Sequence, residues 1–284
     1  MCRWLAYSGA PIALEELIFK TEHSLINQSL SARRSRTPTN GDGFGVGWYG
    51  KHPQPGLYRD IRPAWNDENF RDLAAHIVSP MFMAHVRAAT GSSVQRANCH
   101  PFRYGRWLFV HNGIIEGFRT IKRDLSMAVA PELYPEIRGT TDSELLFYLA
   151  LTHGLEKDPL PALERAVGLV EEVAGAHGIE NAVQMTVGLT DGEQLVAVRY
   201  STAGRSSTLF HSVSVEALHE LMPDNKQVMH LSADARAIVS EPLTDLTSIW
   251  VEIRESSAVV IRGGVGEACP FSPRFSAQGP PATG

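Results

Sequence analysis

The chain has 284 residues, 43% of them hydrophobic and 20% charged, which suits a globular protein with a full core in one large domain or two small ones. Its net charge of −5, with both signs interspersed, leaves no basic face for nucleic acid. No apolar run approaches the ~20 residues of a membrane helix. The opening Met1-Cys2-Arg3-Trp4-Leu5-Ala6-Tyr7 lacks a signal peptide's apolar stretch. Cys2, Cys99 and Cys269 are odd in number and widely spaced, so neither a disulfide framework nor a zinc site is expected. A cytoplasmic protein with no membrane contact is the expectation.

In chain order, Cys2 to Ser8 reads as a strand beginning almost at the terminus, broken by Gly9-Ala10-Pro11, with Leu14, Leu17 and Ile18 then at helical spacing. Ser31 to Asp42, with Arg33, Arg34, Arg36, Pro38, Asn40 and Gly41, reads as a loop whose arginines form a solvated charge run. Gly43-Phe44-Gly45-Val46-Gly47-Trp48-Tyr49 is a strand whose alternating glycines indicate close backbone approach on one face. A helix is predicted over Asp67 to Ile77, capped by Asn66 or Asp67, and buried strands over Met81 to Val86 and Trp107 to Val110. Helices follow at Ile114 to Leu125 and Thr141 to Leu151, the second opening on Thr-Asp-Ser-Glu in capping-box style. Leu160, Leu163, Val167, Val170 and Ala174 mark a long amphipathic helix. Val183 to Leu189, Leu195 to Tyr200, Thr208 to Val213, Ile249 to Ile253 and Ala258 to Ile261 read as strands. The predicted organisation is one α+β domain over 2–263, with a disordered tail over 264–284 where Gly, Pro, Ser and Ala dominate.

Four features carry chemistry. Removal of Met1 would leave Cys2 with a free α-amine, whose reference pKa of ~7.7–8.0 lets it take the thiol proton near neutrality. His111-Asn112-Gly113-Ile114, placed where a strand is expected to give way to a helix, offers the Asn112 amide and the Gly113 N–H to an oxyanion, although Asn-Gly also suits an ordinary turn. Arg87, just past a strand end, can grip a carboxylate by two parallel N–H bonds with help from Thr90, although a surface salt bridge would also use it. Asp142 can bind an ammonium group, or serve a helix dipole.

Taken in order, Cys2, Asn40-Gly41-Asp42-Gly43-Phe44-Gly45-Val46-Gly47, Arg87 with Thr90, His100-Pro101, His111-Asn112-Gly113-Ile114 and Thr141-Asp142-Ser143-Glu144 resemble the glutaminase domain of class II glutamine amidotransferases. The motifs span about the first half of the chain. The resemblance implies a four-layer α-β-β-α sandwich of the N-terminal-nucleophile type and a cysteine-dependent amidohydrolase that cleaves a γ-glutamyl amide through a Cys2 thioester. It implies Cys2 as nucleophile, Asn112 and Gly113 as the oxyanion hole, Arg87 and Thr90 on the substrate α-carboxylate and Asp142 on its α-amine. It also implies that Asp42 fixes the loop beside the nucleophile, that His100 is structural, and that no metal or organic cofactor is needed. The family's synthases usually carry a large aromatic residue and a histidine where this chain has Ala88 and Gly91, which hints at a roomier pocket. They also carry a second catalytic domain, for which this chain is too short. It looks closer to a small stand-alone branch, which includes the γ-glutamyl hydrolase of ergothioneine biosynthesis and the amidotransferase-like subunit of fungal glutathione breakdown. Val239-Ser240-Glu241-Pro242-Leu243, ahead of a predicted hairpin at Trp250 to Ile261, fits that branch as well.

Other chemistries fit less well. Cys99 and His100 are adjacent, so their side chains do not converge as a protease pair, and His85, His100 and His111 lack the helical pairing of a metal site. A glutaminase subunit passing ammonia to a separate synthase, or a silent binding protein that keeps the pocket, would preserve the fold and change the task. A small γ-glutamyl substrate is expected, with a protein partner or a homo-oligomer left open.

Overall fold

The structure, a computed structural model, describes residues 2–31, 39–89, 91–221 and 231–274. Thr90 and the arginines Arg33, Arg34 and Arg36 of the predicted charge run lie outside the described residues. In chain order the elements are β1 (Arg3–Ala13), α1 (Glu15–Ile18), α2 (Leu25–Leu30), β2 (Phe44–Trp48), β3 (Gly56–Asp60), α3 (Glu68–His76), β4 (Val78–Val86), β5 (Phe102–Tyr104) and β6 (Trp107–Ile115). They continue with α4 (Phe118–Met127), α5 (Asp142–Thr152), α6 (Pro159–Ala176), β7 (Val183–Thr190), β8 (Gln194–Ser201), β9 (Phe210–Ser212), α7 (Val215–Leu221), β10 (Arg236–Val239), β11 (Trp250–Glu252), β12 (Ser257–Arg262) and β13 (Val265–Pro270).

Two antiparallel sheets result, one in the order β11-β9-β10-β1-β4-β2-β3 and the other β13-β12-β8-β7-β6-β5. The apolar run Trp4-Leu5-Ala6-Tyr7 is buried on both faces because β1 is central in its sheet. Trp4 and Ala6 pack between the sheets with Met83, Leu108, Val110 and Ile238. Leu5 and Tyr7 face outward onto Leu14, Ile18, Leu25 and Phe70 of the first helical layer. The second layer is α4, α5 and α6 packed on the far sheet through Phe109, Phe147, Val167 and Met185. The layers are therefore helix, sheet, sheet, helix. Every position from Ser143 to Leu151 of α5 is buried, as expected of a helix enclosed between a sheet and other helices. The sheets approach closely at Gly188, where a Cβ would lie 2.8 Å from both Trp4 and Met83.

Three expectations are corrected. The chain does not become a disordered tail at 264. Val265–Pro270 forms β13, paired along its length with β12, and Phe271 beyond it is buried in the second core cluster. As an edge strand exposed at most positions, β13 has no apolar alternation by which to be read. Nor do Trp250 and Ile261 belong to one hairpin: β11 pairs with β9 in the first sheet and β12 with β8 in the second, so the chain crosses between sheets at buried Ile253. The helix predicted from Ile114 begins at Phe118, because the motif His111-Asn112-Gly113 lies inside β6, where Gly113 and Ile115 pair with Met185 and Val183.

Candidate active site

Cys2 sits at the head of β1, where Arg3 pairs with Val86 of β4, and it therefore lies against the turn that follows β4. Its Sγ is 3.4 Å from the Ala88 N–H and 3.5 Å from the Ala88 carbonyl oxygen. Burial pushes the Cys2 thiol up, opposed by the Ala88 N–H and by the charges of Arg87 and Arg3. A thiol so held stays protonated near neutrality and needs a base to become a nucleophile.

The turn itself is fixed by main-chain contacts. Asp42 N–H donates to Arg87 O at 3.0 Å, Arg87 N–H donates to Gly43 O at 2.8 Å, and the Asp42 carboxylate accepts from Ala89 N–H at 2.8 Å. Asp42 thus ties the loop before β2 to the turn beside Cys2. Arg87 is buried, with its guanidinium donating to Ser92 Oγ at 2.7 Å, Ser93 O at 3.2 Å and Asp42 O at 3.3 Å. No carboxylate among the described residues pairs with it, so a full positive charge lies buried against neutral acceptors. Gly91 follows with φ +78°, a left-handed turn position that favours glycine.

The opposite wall comes from β6. Leu108 and Val110 point between the sheets, and by alternation Asn112 does too, on the same face as Trp4. Trp4 Nε1–H donates to Thr186 Oγ1 at 3.0 Å, and Thr186 is the cross-strand partner of Asn112. The Asn112 side-chain Nδ2 is buried without a hydrogen-bond acceptor. At Gly113 a Cβ would clash with the Gln184 carbonyl and lie 2.5 Å from His111 Nε2, so only glycine fits. His111, on the other face, shares a 2.7 Å hydrogen bond with Ser143 Oγ at the start of α5.

Asp142 caps this wall. One oxygen accepts from Ile115 N–H at 2.9 Å and the other from Ser143 N–H at 2.8 Å, tying the end of β6 to the first turn of α5. Half of the predicted capping box forms: Thr141 Oγ1 accepts from Glu144 N–H, while the Glu144 carboxylate accepts from Arg138 and Gly139 N–H. His100 lies buried with its ring 4.3 Å from that of His85 and 4.5 Å from that of Phe102, and makes no hydrogen bond to Cys2. Thr90, expected beside Arg87, lies outside the described residues.

Sequence reasoning missed residues that brace these walls. Asn98, fully buried, accepts from Thr140 N–H at 2.8 Å and donates to Ser93 O at 3.0 Å, joining the loop after Arg87 to the loop before Asp142. Arg3 and Glu241 form a buried ion pair directly behind Cys2. The only hint of the pair in the sequence was the Val239–Leu243 segment.

Comparison with known proteins places the chain in a family. Residues 16–283 match the family described as glutamine amidotransferases class-II. A Saccharomyces cerevisiae protein, "Probable glutamine amidotransferase DUG3", is 34% identical over 92% of this chain and 82% of its own length. The gamma-glutamyl-hercynylcysteine sulfoxide hydrolase of Mycolicibacterium smegmatis is 31% identical over 55% of this chain, a match spanning 65% of that enzyme. A solved structure from Silicibacter pomeroyi, a glutamine aminotransferase class-II domain protein, superposes with TM-score 0.71 and 33% identity over 96% of this chain and all of that one. The glutamine phosphoribosylpyrophosphate amidotransferase of Bacillus subtilis, at 14% identity and TM-score 0.64, shares the fold. With the family matched over nearly its whole length, this chain belongs to the class II glutamine amidotransferases.

Proposed function

We propose that the chain, after loss of Met1, hydrolyses a γ-glutamyl amide by nucleophilic catalysis at Cys2. The observation that carries this reading is the contact of Cys2 Sγ with the Ala88 main chain, one residue past a buried arginine that has no carboxylate partner among the described residues. Binding a substrate α-carboxylate at Arg87 would relieve that uncompensated charge, and the Asp142 carboxylate is the group suited to the α-ammonium.

In this mechanism the Cys2 α-amine takes the thiol proton. The Sγ–C bond forms at the γ-carbonyl, and the developing oxyanion takes up the unpartnered Asn112 Nδ2–H and a Gly113 N–H. The amine returns the proton to the leaving nitrogen as the C–N bond breaks. Water then attacks the γ-glutamyl thioester, releasing glutamate and restoring the thiol. Each oxyanion donor of this kind is worth roughly 3–4 kcal/mol.

Intact mass of the purified chain, before and after the glutamine-like electrophile diazo-oxo-norleucine, tests the assignment. Loss of Met1 and one adduct, mapped to Cys2, is expected. Cys2→Ala, or an added N-terminal residue, should abolish turnover of glutamine and of γ-glutamyl conjugates alike. Turnover retained in either variant rules the mechanism out.

A further inference from the structure

The ion pair behind the nucleophile has no part in the mechanism above. Arg3 follows Cys2 directly, and alternation along β1 puts its side chain on the outer face with Leu5 and Tyr7, away from the space between the sheets. It cannot touch substrate from there. Its guanidinium instead donates from Nε to Glu241 Oε1 at 2.8 Å and from NH1 to the Cys2 carbonyl oxygen at 2.8 Å. Glu241 is delivered by the continuation of β10, whose Val239 pairs with Leu5. Ser240 N–H donates to Trp4 O, and Ser240 Oγ accepts from Trp4 N–H, both at 3.0 Å. Gln28 Nε2–H adds a bond to Glu241 O at 3.3 Å. Arg3 is 2% exposed and Glu241 4%. A buried ion pair is a poor source of stability, since apolar residues of similar volume serve folding as well or better. Its geometry points to another task.

We propose that Arg3 and Glu241 are positioning residues for the nucleophile: the guanidinium, oriented by the carboxylate, locks the Cys2 carbonyl and places a balanced charge beside the sulfur and its amine. Locking the carbonyl fixes rotation at the Cys2 main chain, and hence where its amine and sulfur point. The carboxylate keeps the arginine from acting on Cys2 as an uncompensated cation. Charged or titratable groups near this pair include Arg87 on the Cys2 side, and Glu22, His23 and Asp245, which share with Glu241 the lining of a cavity of about 380 Å³.

This inference builds on Cys2 as nucleophile, but it is tested by a readout that does not require a γ-glutamyl substrate. The rate of Cys2 alkylation by iodoacetamide is followed across pH by mass spectrometry, beside steady-state kinetics. Glu241→Gln keeps the shape and removes the carboxylate charge from beside Arg3, so the midpoint for alkylation should move down by about 0.5–1 pH unit. Arg3→Met leaves the carboxylate behind and should move the midpoint up. In both, kcat should fall roughly ten- to a hundred-fold with KM little changed, because the nucleophile is misplaced while the substrate clamps remain. The double variant Arg3→Met/Glu241→Leu separates positioning from folding. It should restore the melting temperature, yet keep the low kcat, whereas a merely structural pair would recover both. A wild-type alkylation midpoint and kcat in folded Glu241→Gln, or full activity in the double variant, overturns the proposal. Turnover that survives Cys2→Ala would sink the nucleophile assignment instead and leave the alkylation result readable on its own.

Discussion

The two walls of the site are built differently. On the first sheet, the head of β1 and the turn after β4 are held mostly by bonds with a main-chain atom on at least one side: Asp42 N–H to Arg87 O, Arg87 N–H to Gly43 O, Ala88 N–H to Cys2 Sγ and Ala89 N–H to the Asp42 carboxylate. On the second sheet, Asn112 and Gly113 lie within a regular strand, and buried side chains hold that strand to α5 through His111–Ser143 and Asp142–Ile115. Main-chain contacts tolerate exchange of side chains as long as the backbone path survives. A side-chain network does not, since removing one member leaves a buried partner unsatisfied at about 1–3 kcal/mol. The Cys2 wall is therefore sensitive to backbone conformation, and the Asn112 wall to chemical identity.

The largest effect should come from the Asn112 wall. Asn112→Ala removes the unpartnered Nδ2 donor without opening a satisfied network, so kcat should fall by about 10²–10³ while the melting temperature stays near wild type. Steady-state kinetics with thermal unfolding decide it; a kcat within threefold of wild type would remove Asn112 from the oxyanion hole. On the other wall, Arg87→Lys should raise KM about ten- to a hundred-fold with a smaller change in kcat. One ammonium cannot replace a guanidinium already spread over Ser92, Ser93 and Asp42 and still grip a carboxylate. An unchanged KM would contradict the clamp.

The same division explains what could be read from the sequence. Central strands such as β1, β7 and β8, and the enclosed helix α5, announce themselves as apolar runs because both faces are buried. The ordered motifs located Cys2, Asp42, Arg87, Asn112 and Asp142, and the structure sets the first three against one another and joins Asp142 to the end of Asn112's strand. What stayed hidden depends on pairing distant in sequence: Arg3 with Glu241, Trp4 with Thr186, Asn98 with Thr140. None has a local period or spacing to betray it. The misplaced helix start at Ile114 has a related cause, since Gly113 and Ile114 remain in the ladder with Met185 and Gln184, a tertiary pairing that overrides the turn signal of Asn-Gly.

A paired test of the walls uses one small change on each. Asp42→Ala deletes the charge-assisted acceptor of Ala89 N–H but leaves the Asp42–Arg87 main-chain bond, so about 1–2 kcal/mol of stability should be lost. Ser143→Ala strands His111 Nδ1 beside an already unpartnered Nε2, and should cost as much or more although it deletes only a hydroxyl. Denaturant midpoints measure both. If Ser143→Ala is silent while Asp42→Ala is not, the contrast between the walls fails.

A further effect of similar size concerns pH. Around the walls lie His85, His100 and His111, all buried; burial first, and then the charge of Arg87, pushes His85 down to about 3, and burial pushes the other two down as well. An unfolded histidine titrates near ~6.5, so between that pH and about 3 the unfolded chain holds a proton at this position that the folded chain lacks. Stability must then rise with pH across the window and fall as pH drops through it, by up to ~1.4 kcal/mol per pH unit for one such residue. His85→Phe keeps a ring against His100, where the centroids are 4.3 Å apart, and deletes the titration. Relative to wild type the variant should therefore gain about 2 kcal/mol on going from pH 7 to pH 5. Denaturation at several pH values measures the slope directly, and parallel curves for the two proteins would mean that His85 binds its proton equally well in the folded and the unfolded chain.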